Sequence, residues 1–220
     1  MSNTALFEAL KSRDLARVKA ALDDGADLQV RSPEGWTPLL FAIYMRLPEA
    51  VTLLQQRGAK PDIFEAAALD HAELVRGYLA ENASLANALN ADGGTALHLA
   101  AHYGQQEAAQ VLLAAGANPN LRQRSPFGPG NTPLHAAAAG MQVKMFPLLK
   151  RAGADVNATD DGGHTPLMIA AANGSVEAVQ WLLPNGADPS IKSKAGKTAV
   201  DFAVDRGHGA VVALFPSLTS

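Results

Sequence analysis

Residues 132–137 of the chain read TPLHAA, and the same six-residue template recurs along most of the sequence. Its other copies are TPLLFA (37–42), TALHLA (95–100), TPLMIA (165–170) and TAVDFA (198–203), and TALFEA (4–9) fits the same spacing. A Gly-Ala pair follows most of these threonines at a constant distance, and Thr132, Thr165 and Thr198 are evenly spaced. Self-similarity at a fixed period is typical of repeat proteins, in which each unit buries its apolar face only against neighbouring units.

Each repeating unit is predicted to be a helix, a tight turn, a second helix and a β-turn finger. The threonine is expected to cap the first helix with its hydroxyl, and a proline such as Pro133 fits the next position because no helical N–H is needed there. Gly104 is expected to turn the chain into the second helix, and Gly116 to form a left-handed cap at its end. Alanine suits close helix contacts, and aromatic residues make up only 5% of the chain. The sequence therefore predicts an all-α solenoid.

These motifs resemble the ankyrin repeat over essentially the whole chain. Besides the ~33-residue period and the TPLH motif, GADVNA (153–158) and GHT (163–165) match the consensus of that family. The resemblance implies about seven helix pairs in a single ankyrin-repeat domain over residues 1–220. The repeats are expected at approximately 1–36, 37–60, 61–94, 95–131, 132–164, 165–197 and 198–220.

Two units depart from the regular pattern. Thr37 and Thr95 are separated by less than two full repeat periods, so one finger is expected to be missing near residue 60. Asp62 is predicted to cap the next helix, with Glu65 as the reciprocal partner of a capping box. The finger LRQRSPFGPGN (121–131) is lengthened by four residues.

The fifth repeat is predicted to be a weak unit. Pro147 falls inside the second helix, where a proline would cost ~3 kcal/mol relative to alanine. Met141 replaces the usual glycine of the turn between the helices, and Gly140 beside it is available for the unusual backbone angle. Residues 1–60 are nevertheless expected to open at lower free energy than residues 95–140, since they are terminal and poorly joined to the next repeat.

Composition limits the function classes. The net charge is −3, which gives no reason to expect nucleic acid or an anionic membrane as the partner. The chain has no cysteine, so disulfides and thiolate metal sites are excluded. The first residues lack a signal-peptide pattern, and each apolar stretch is shorter than the ~20 residues of a membrane span. A cytoplasmic protein is expected.

The histidines are not predicted to bind metal or to catalyse a reaction. His98 and His102 are four residues apart on one predicted helix, but Leu99 stands where a zinc protease needs glutamate, and no third ligand is evident. The resemblance implies that His98 and His135 hydrogen-bond to backbone in the finger region. No cofactor is expected.

Partner contacts are predicted at the fingers and near the ends of the first helices, where the family resemblance places them. Aromatic residues and methionine are enriched in interface cores. The alternative is that one or two of these rings simply lie over the stack. The candidate partner-binding residues are Trp36, Tyr44, Met45, Leu69, His102, Tyr103, Arg122, Arg124 and Phe127.

The leading functional hypothesis is a non-enzymatic protein–protein interaction module, acting as an adaptor, a scaffold or an inhibitor. It would bind an unidentified partner protein through its concave face and fingers, and it is expected to be a monomer. The alternatives are a self-associating structural or assembly protein and, less favoured, an enzyme with a site on the concave face.

Overall fold

The computed structural model describes residues 2–124 and 129–215, and these residues form fourteen α-helices and no β-strand. Short 3₁₀ turns at Ala83–Asn87 and Leu183–Asn185 follow the sixth and twelfth helices. The prediction of an all-α architecture is confirmed for the described residues. The helices are α1 (Ser2–Lys11), α2 (Leu15–Asp23), α3 (Pro38–Tyr44), α4 (Pro48–Gln56), α5 (Ile63–Ala68), α6 (Ala72–Glu81), α7 (Ala96–Tyr103), α8 (Gln106–Ala114), α9 (Pro133–Ala139), α10 (Met145–Arg151), α11 (Pro166–Ala172), α12 (Val176–Leu182), α13 (Ala199–Asp205) and α14 (Gly209–Val212).

Contacts between residues divide the chain into two compact units, unit 1 at Met1–Glu65 and unit 2 at Ala66–Ser220. In unit 1, α1 packs against α2 and α3, and α2 packs against α4. In unit 2, the first helices of successive pairs pack together, as α7 on α9 and α9 on α11. The second helices do the same, as α6 on α8 and α8 on α10. Helix pairs therefore stack within each unit, while one domain over residues 1–220 stays a prediction.

Threonine caps begin most of the first helices, as predicted. The Thr37 hydroxyl oxygen accepts the Leu40 N–H at 3.0 Å, and the threonines before α7, α11 and α13 cap in the same way. Proline is the first residue of α3, α9 and α11. The predicted cap is wrong at Thr4, which lies inside α1 because that helix begins at Ser2.

The turns within the helix pairs use left-handed backbone angles. Gly104 has φ 77°, and the equivalent residue of the fifth pair is Met141, with φ 57°. Gly140 stays right-handed with φ −78°. A Cβ at Gly140 would overlap the carbonyl oxygen of His102, so glycine is needed there for close approach. The expectation that Gly140 supplies the unusual angle is therefore wrong.

Pro147 changes where its helix begins. Helix α10 starts at Met145, which is later relative to Thr132 than α8 and α12 start relative to Thr95 and Thr165. Pro147 is consequently the third residue of α10, where an N–H would have no helical acceptor. The prediction that this proline disrupts a helix interior is wrong, because the late start of the helix places it in the first turn.

Alanine forms the contacts between the first helices of unit 2. The pairs at residues 100–101, 137–138 and 170–171 are all 0% exposed. Small side chains allow neighbouring helices to approach closely, which brings the turns at their carboxyl ends side by side.

Candidate functional site

Two buried histidines join the first helices of unit 2 to the fingers that follow them. His98 Nδ1 accepts the Thr95 N–H at 3.1 Å, and its Nε2 donates to the Asn131 carbonyl oxygen at 2.9 Å. His135 repeats this pattern with the threonine that caps α9 and with the His164 carbonyl oxygen, at 3.2 and 2.9 Å. The backbone-bonding role expected for His98 and His135 is confirmed.

Burial keeps both imidazoles neutral. It lowers the pKa of His98 to about 4, and it is also the main reason why the pKa of His135 is lowered. Because both nitrogens of His98 are used in hydrogen bonds, neither is available as a metal ligand unless a bond is broken. Across residues 2–124 and 129–215, no three His, Cys, Asp or Glu side chains gather into a group that could hold a metal ion.

Three turns between paired helices lie side by side in unit 2. We call residues 68–70, 102–105 and 140–142 the turn row. The Gln105 side-chain amide donates to the Ala68 carbonyl oxygen at 2.8 Å, and the Asp70 carboxylate accepts the Ala108 N–H at 2.8 Å. These bonds fix the turn after α5 beside the turn after α7.

The third turn of the row is held by close backbone contact. Gly140 lies against the carbonyl oxygen of His102, and the Gln142 side chain occupies the space beside Gly104. The Gln142 amide also donates to the Gly140 carbonyl oxygen at 2.8 Å. The turn after α9 is therefore fixed against the turn after α7, and the row is continuous.

The turn row presents apolar and aromatic side chains to solvent. Leu69, His102 and Tyr103 are each half-buried, and the two rings meet edge to face with centroids 4.9 Å apart. Met141, which the sequence analysis did not select for binding, is 60% exposed. The sequence could have indicated Met141, because it is a large apolar residue at a turn position that glycine occupies in neighbouring repeats.

An aromatic cluster marks the corresponding region of unit 1. Trp36 contacts Tyr44 edge to face at 5.4 Å and Phe41 at 5.9 Å, and Phe41 contacts Phe7 at 5.6 Å. Trp36 and Tyr44 are half-buried, as is Met45 at the end of α3. The rings of Trp36 and Tyr44, which were predicted to bind a partner, therefore also pack inside unit 1. Phe7 and Phe41 belong to the same cluster, and the sequence analysis did not select them.

Five fingers have their ends joined by a backbone hydrogen bond of 2.8 or 2.9 Å. In unit 2, each of the last three fingers also donates a backbone N–H to the finger before it. The Arg124, Asp161 and Lys194 N–H groups donate to Gly93, Pro129 and Gly162 carbonyl oxygens at 2.8, 2.7 and 2.8 Å. We call these three bonds the finger ladder. The fingers are residues 32–36, 90–94, 123–131, 160–164 and 193–197.

Two exposed arginines lie at the start of the lengthened finger. Arg122 forms an ion pair with Asp161 on the next finger, with 2.6 Å between Nη2 and Oδ1. Arg124 is exposed and contributes its backbone N–H to the finger ladder. Phe127 lies outside the described residues. Because the Arg122–Asp161 pair is exposed, it is expected to contribute less than about 1 kcal/mol to stability.

A buried glutamate lies in the repeat for which the sequence predicts a missing finger. Glu65 is 1% exposed, and its Oε2 accepts the Asp62 N–H at 2.7 Å while Asp62 caps α5, so the predicted capping box is confirmed. Its Oε1 accepts the Leu40 N–H at 3.1 Å and the Thr37 hydroxyl. Burial, and then the nearby Asp62 carboxylate, raise the pKa of Glu65. The sequence analysis missed this second set of bonds, which links the amino ends of α3 and α5.

Comparison with known proteins identifies the repeat family. A family model of ankyrin repeats in three copies matches residues 63–160, 122–193 and 143–217. These matches cover more than half of the chain. The chain belongs to the ankyrin-repeat family.

Curated relatives of this ankyrin-repeat protein include Notch receptors. Neurogenic locus notch homolog protein 1 of Danio rerio is 33% identical over 129 residues, or 59% of this chain and 5% of the relative. Protein 1 of Homo sapiens is 33% identical over 128 residues, and human homolog 2 is 34% identical over 131 residues. The ankyrin-repeat chain therefore spans only 4 to 5% of the length of the relatives that it matches.

Ankyrin repeats are generally non-enzymatic protein–protein interaction modules, and family membership therefore implies a protein partner. No described helix of this ankyrin-repeat protein is long and apolar enough to cross a lipid bilayer.

Proposed function

We propose that this ankyrin-repeat chain is a non-enzymatic adaptor, scaffold or inhibitor that binds a partner protein through the turn row and the fingers. The observation that carries the proposal is the apolar surface of the turn row, which is half-buried except at the exposed Met141. There Leu69, His102, Tyr103 and Met141 lie on three adjoining turns fixed by backbone contacts. A rigid platform loses little conformational entropy when it binds a partner.

The chemistry of the turn row fits a protein partner. Tyrosine combines a large apolar surface with a hydroxyl, and methionine adapts to irregular partner surfaces. Both residue types are enriched in interface cores, and an apolar surface exposed on adjoining turns is typical of an interaction site. Tyr103 is the residue of the row that we expect to contribute most to binding.

The remaining predicted contact residues extend the proposal. Trp36, Tyr44 and Met45 would contact the partner from unit 1, and Arg122, Arg124 and Phe127 from the lengthened finger. The proposal retains a monomer in the cytoplasm that uses no cofactor and binds neither nucleic acid nor membrane. A net charge of −3 supports the absence of nucleic-acid and membrane binding.

Capture of host proteins tests the proposal. The full chain, immobilised, is incubated with an extract of its native host, and the recovered proteins are quantified by mass spectrometry. We expect specific partners whose Kd rises about 30-fold with Tyr103→Ala, which corresponds to the roughly 2 kcal/mol of a hot-spot aromatic. Leu74→Ala is the matched control, since Leu74 is 36% exposed on α6, outside the turn row.

Two outcomes would contradict the proposal. If the Tyr103→Ala protein recovers the same partners with unchanged affinity, the turn row is not the binding surface. If light scattering of the wild-type chain shows a dimer that Tyr103→Ala dissociates, the row mediates self-association and the assembly hypothesis is favoured.

A further inference from the structure

A pocket lies between helix α1 and the finger at 32–36, entirely within unit 1. Its volume is about 270 Å³, and its lining includes Phe7 of α1, Phe41 of α3 and residues 30–34. The floor of the pocket is aromatic, because the Phe7 and Phe41 rings meet edge to face with centroids 5.6 Å apart. Phe7 is half-buried and Phe41 is buried, so this floor rests on the core of unit 1.

Phe7 stands where two other first helices carry a histidine. It is the fourth residue of TALFEA (4–9), and the fourth residues of TALHLA and TPLHAA are His98 and His135. Those histidines donate from Nε2 to the last residue of the following finger at 2.9 Å. A phenyl ring has no hydrogen-bond donor, so Phe7 cannot join α1 to its finger in this way. The first repeat has an apolar ring beside the finger instead.

The charged groups around the pocket leave one cation without a carboxylate. The Glu8 carboxylate pairs with Lys11, with 3.3 Å between Oε1 and Nζ. A hydrogen bond from Ser32, the backbone N–H of Glu34 itself and then Lys11 lower the pKa of Glu34, so this carboxylate is also engaged. Arg31 donates from Nη1 to a carbonyl oxygen of the finger at 2.8 Å, but it forms no ion pair within the described residues. The pocket therefore offers an oriented positive charge to a ligand.

The size of the pocket indicates one side chain of a partner rather than a free small molecule. Pockets that enclose drug-sized ligands have volumes of roughly 300–1,000 Å³, and this one is smaller. An aromatic ring suits the floor, since it can meet the Phe7 and Phe41 rings edge to face. Aromatic residues that fill such pockets contribute much of the binding energy of protein interfaces.

We propose that this pocket, which we call the α1 pocket, receives an aromatic side chain from a segment of a partner protein. The ring lies against Phe7 and Phe41. Arg31, already oriented by its bond to the finger, pairs with an aspartate or glutamate beside the aromatic residue. The inference rests on the proposed protein-binding function, and it adds the chemistry of the partner segment, which is an aromatic residue next to an acidic one.

The test uses the full chain and a phage-displayed library of random 12-residue peptides. Selected peptides are synthesised, and their Kd is measured for the wild type and for variants of the pocket. Thr4→Trp places a large ring at an exposed lining residue and fills the pocket, and Thr52→Trp at an exposed threonine of α4 is its matched control. Arg31→Glu reverses the oriented charge, and Arg31→Lys keeps it. Arg17→Glu, at an exposed arginine of α2, controls for the charge reversal.

We expect the selected peptides to share an aromatic residue with an aspartate or glutamate beside it. Thr4→Trp should raise their Kd about tenfold or more, as the loss of an aromatic anchor does. Arg31→Glu should raise the Kd about fivefold, because the ion pair is exposed, and Arg31→Lys and both controls should stay within about twofold of wild type.

A second measurement uses the wild-type chain alone and keeps the test valid if Thr4→Trp does not fold. The methyl signals of Val30, which lines the pocket, should shift in NMR spectra when a selected peptide is added. The same peptide with its aromatic residue replaced by alanine should leave these signals unchanged. Equal shifts with both peptides would overturn the inference.

Peptides whose Kd rises with Tyr103→Ala but not with Thr4→Trp or Arg31→Glu would overturn the α1-pocket inference while leaving the proposed function intact. A selection that yields no binder, or only binders without an aromatic residue, would overturn the inference too. The host-protein capture then decides the proposed function separately. If light scattering shows a dimer that Thr4→Trp dissociates, a second copy of the chain occupies the pocket and the inference is wrong.

Discussion

Removing the Glu65 carboxylate should destabilise unit 1 more than any exposed charge substitution. In Glu65→Ala, the Asp62 N–H and the Thr37 hydroxyl lose a charged acceptor, and the Leu40 N–H keeps only its bond to the Thr37 oxygen. Hydrogen bonds to charged groups contribute about 1.5–3 kcal/mol each, and losing the cost of burying the carboxylate offsets part of this. We expect a net loss of about 3 kcal/mol at pH 7.

The pH dependence of this loss follows from the raised pKa of Glu65. The folded state binds the proton more tightly than the unfolded state, so protonation stabilises the wild type relative to the alanine variant. This contribution is complete below the unfolded pKa of ~4.3 and is lost as pH rises through the raised folded value. The stability deficit of Glu65→Ala, meaning its loss in free energy of unfolding relative to the wild type, should therefore be larger at pH 4 than at pH 7.

The assay is urea unfolding followed by the fluorescence of Trp36 in a Trp181→Phe background, because Trp36 lies in unit 1. Glu49→Ala, at an exposed glutamate of α4, is the control and should change stability by less than about 0.5 kcal/mol. A loss below about 1 kcal/mol for Glu65→Ala, or a deficit that does not grow as pH falls, would refute the reasoning.

Three further predictions concern the stack itself. Since burial lowers the pKa of His98 to about 4, the stability it contributes is complete above its unfolded pKa of ~6.5. That contribution, roughly 3 kcal/mol, should be lost as pH falls through 4. If the free energy of unfolding of His98→Gln falls equally steeply with decreasing pH, this prediction is contradicted. Gly140→Ala should lower the melting temperature because its Cβ would overlap a backbone oxygen of α7, whereas Met141→Gly should raise stability by about 1 kcal/mol by relieving a left-handed backbone angle. Calorimetry that ranks these two variants the other way would refute both arguments. Native-state hydrogen exchange should show residues 1–60 opening before residues 95–140, and uniform protection would count against a weak terminal segment.

Local sequence was sufficient to predict the capping, and the family resemblance implied the backbone bonds of the histidines. Thr37 and Thr95 cap helices through atoms three residues away, and the Asp62–Glu65 capping box spans the same short distance. A helix start is decided by such local donors and acceptors, so it can be read from the sequence. His98 followed from its family motif, since the ring reaches the finger of the next repeat at a fixed spacing.

Contacts between distant residues decided what the sequence left open. Glu65 reaches Thr37 across 28 residues, a partnership that no local pattern indicates. The glycine at 140 is required by a carbonyl oxygen of another helix, and Met141 beside it has the left-handed angle and is exposed. Which side chains remain at the surface depends on how neighbouring turns and fingers pack. The turn row could therefore be recognised only in the tertiary structure.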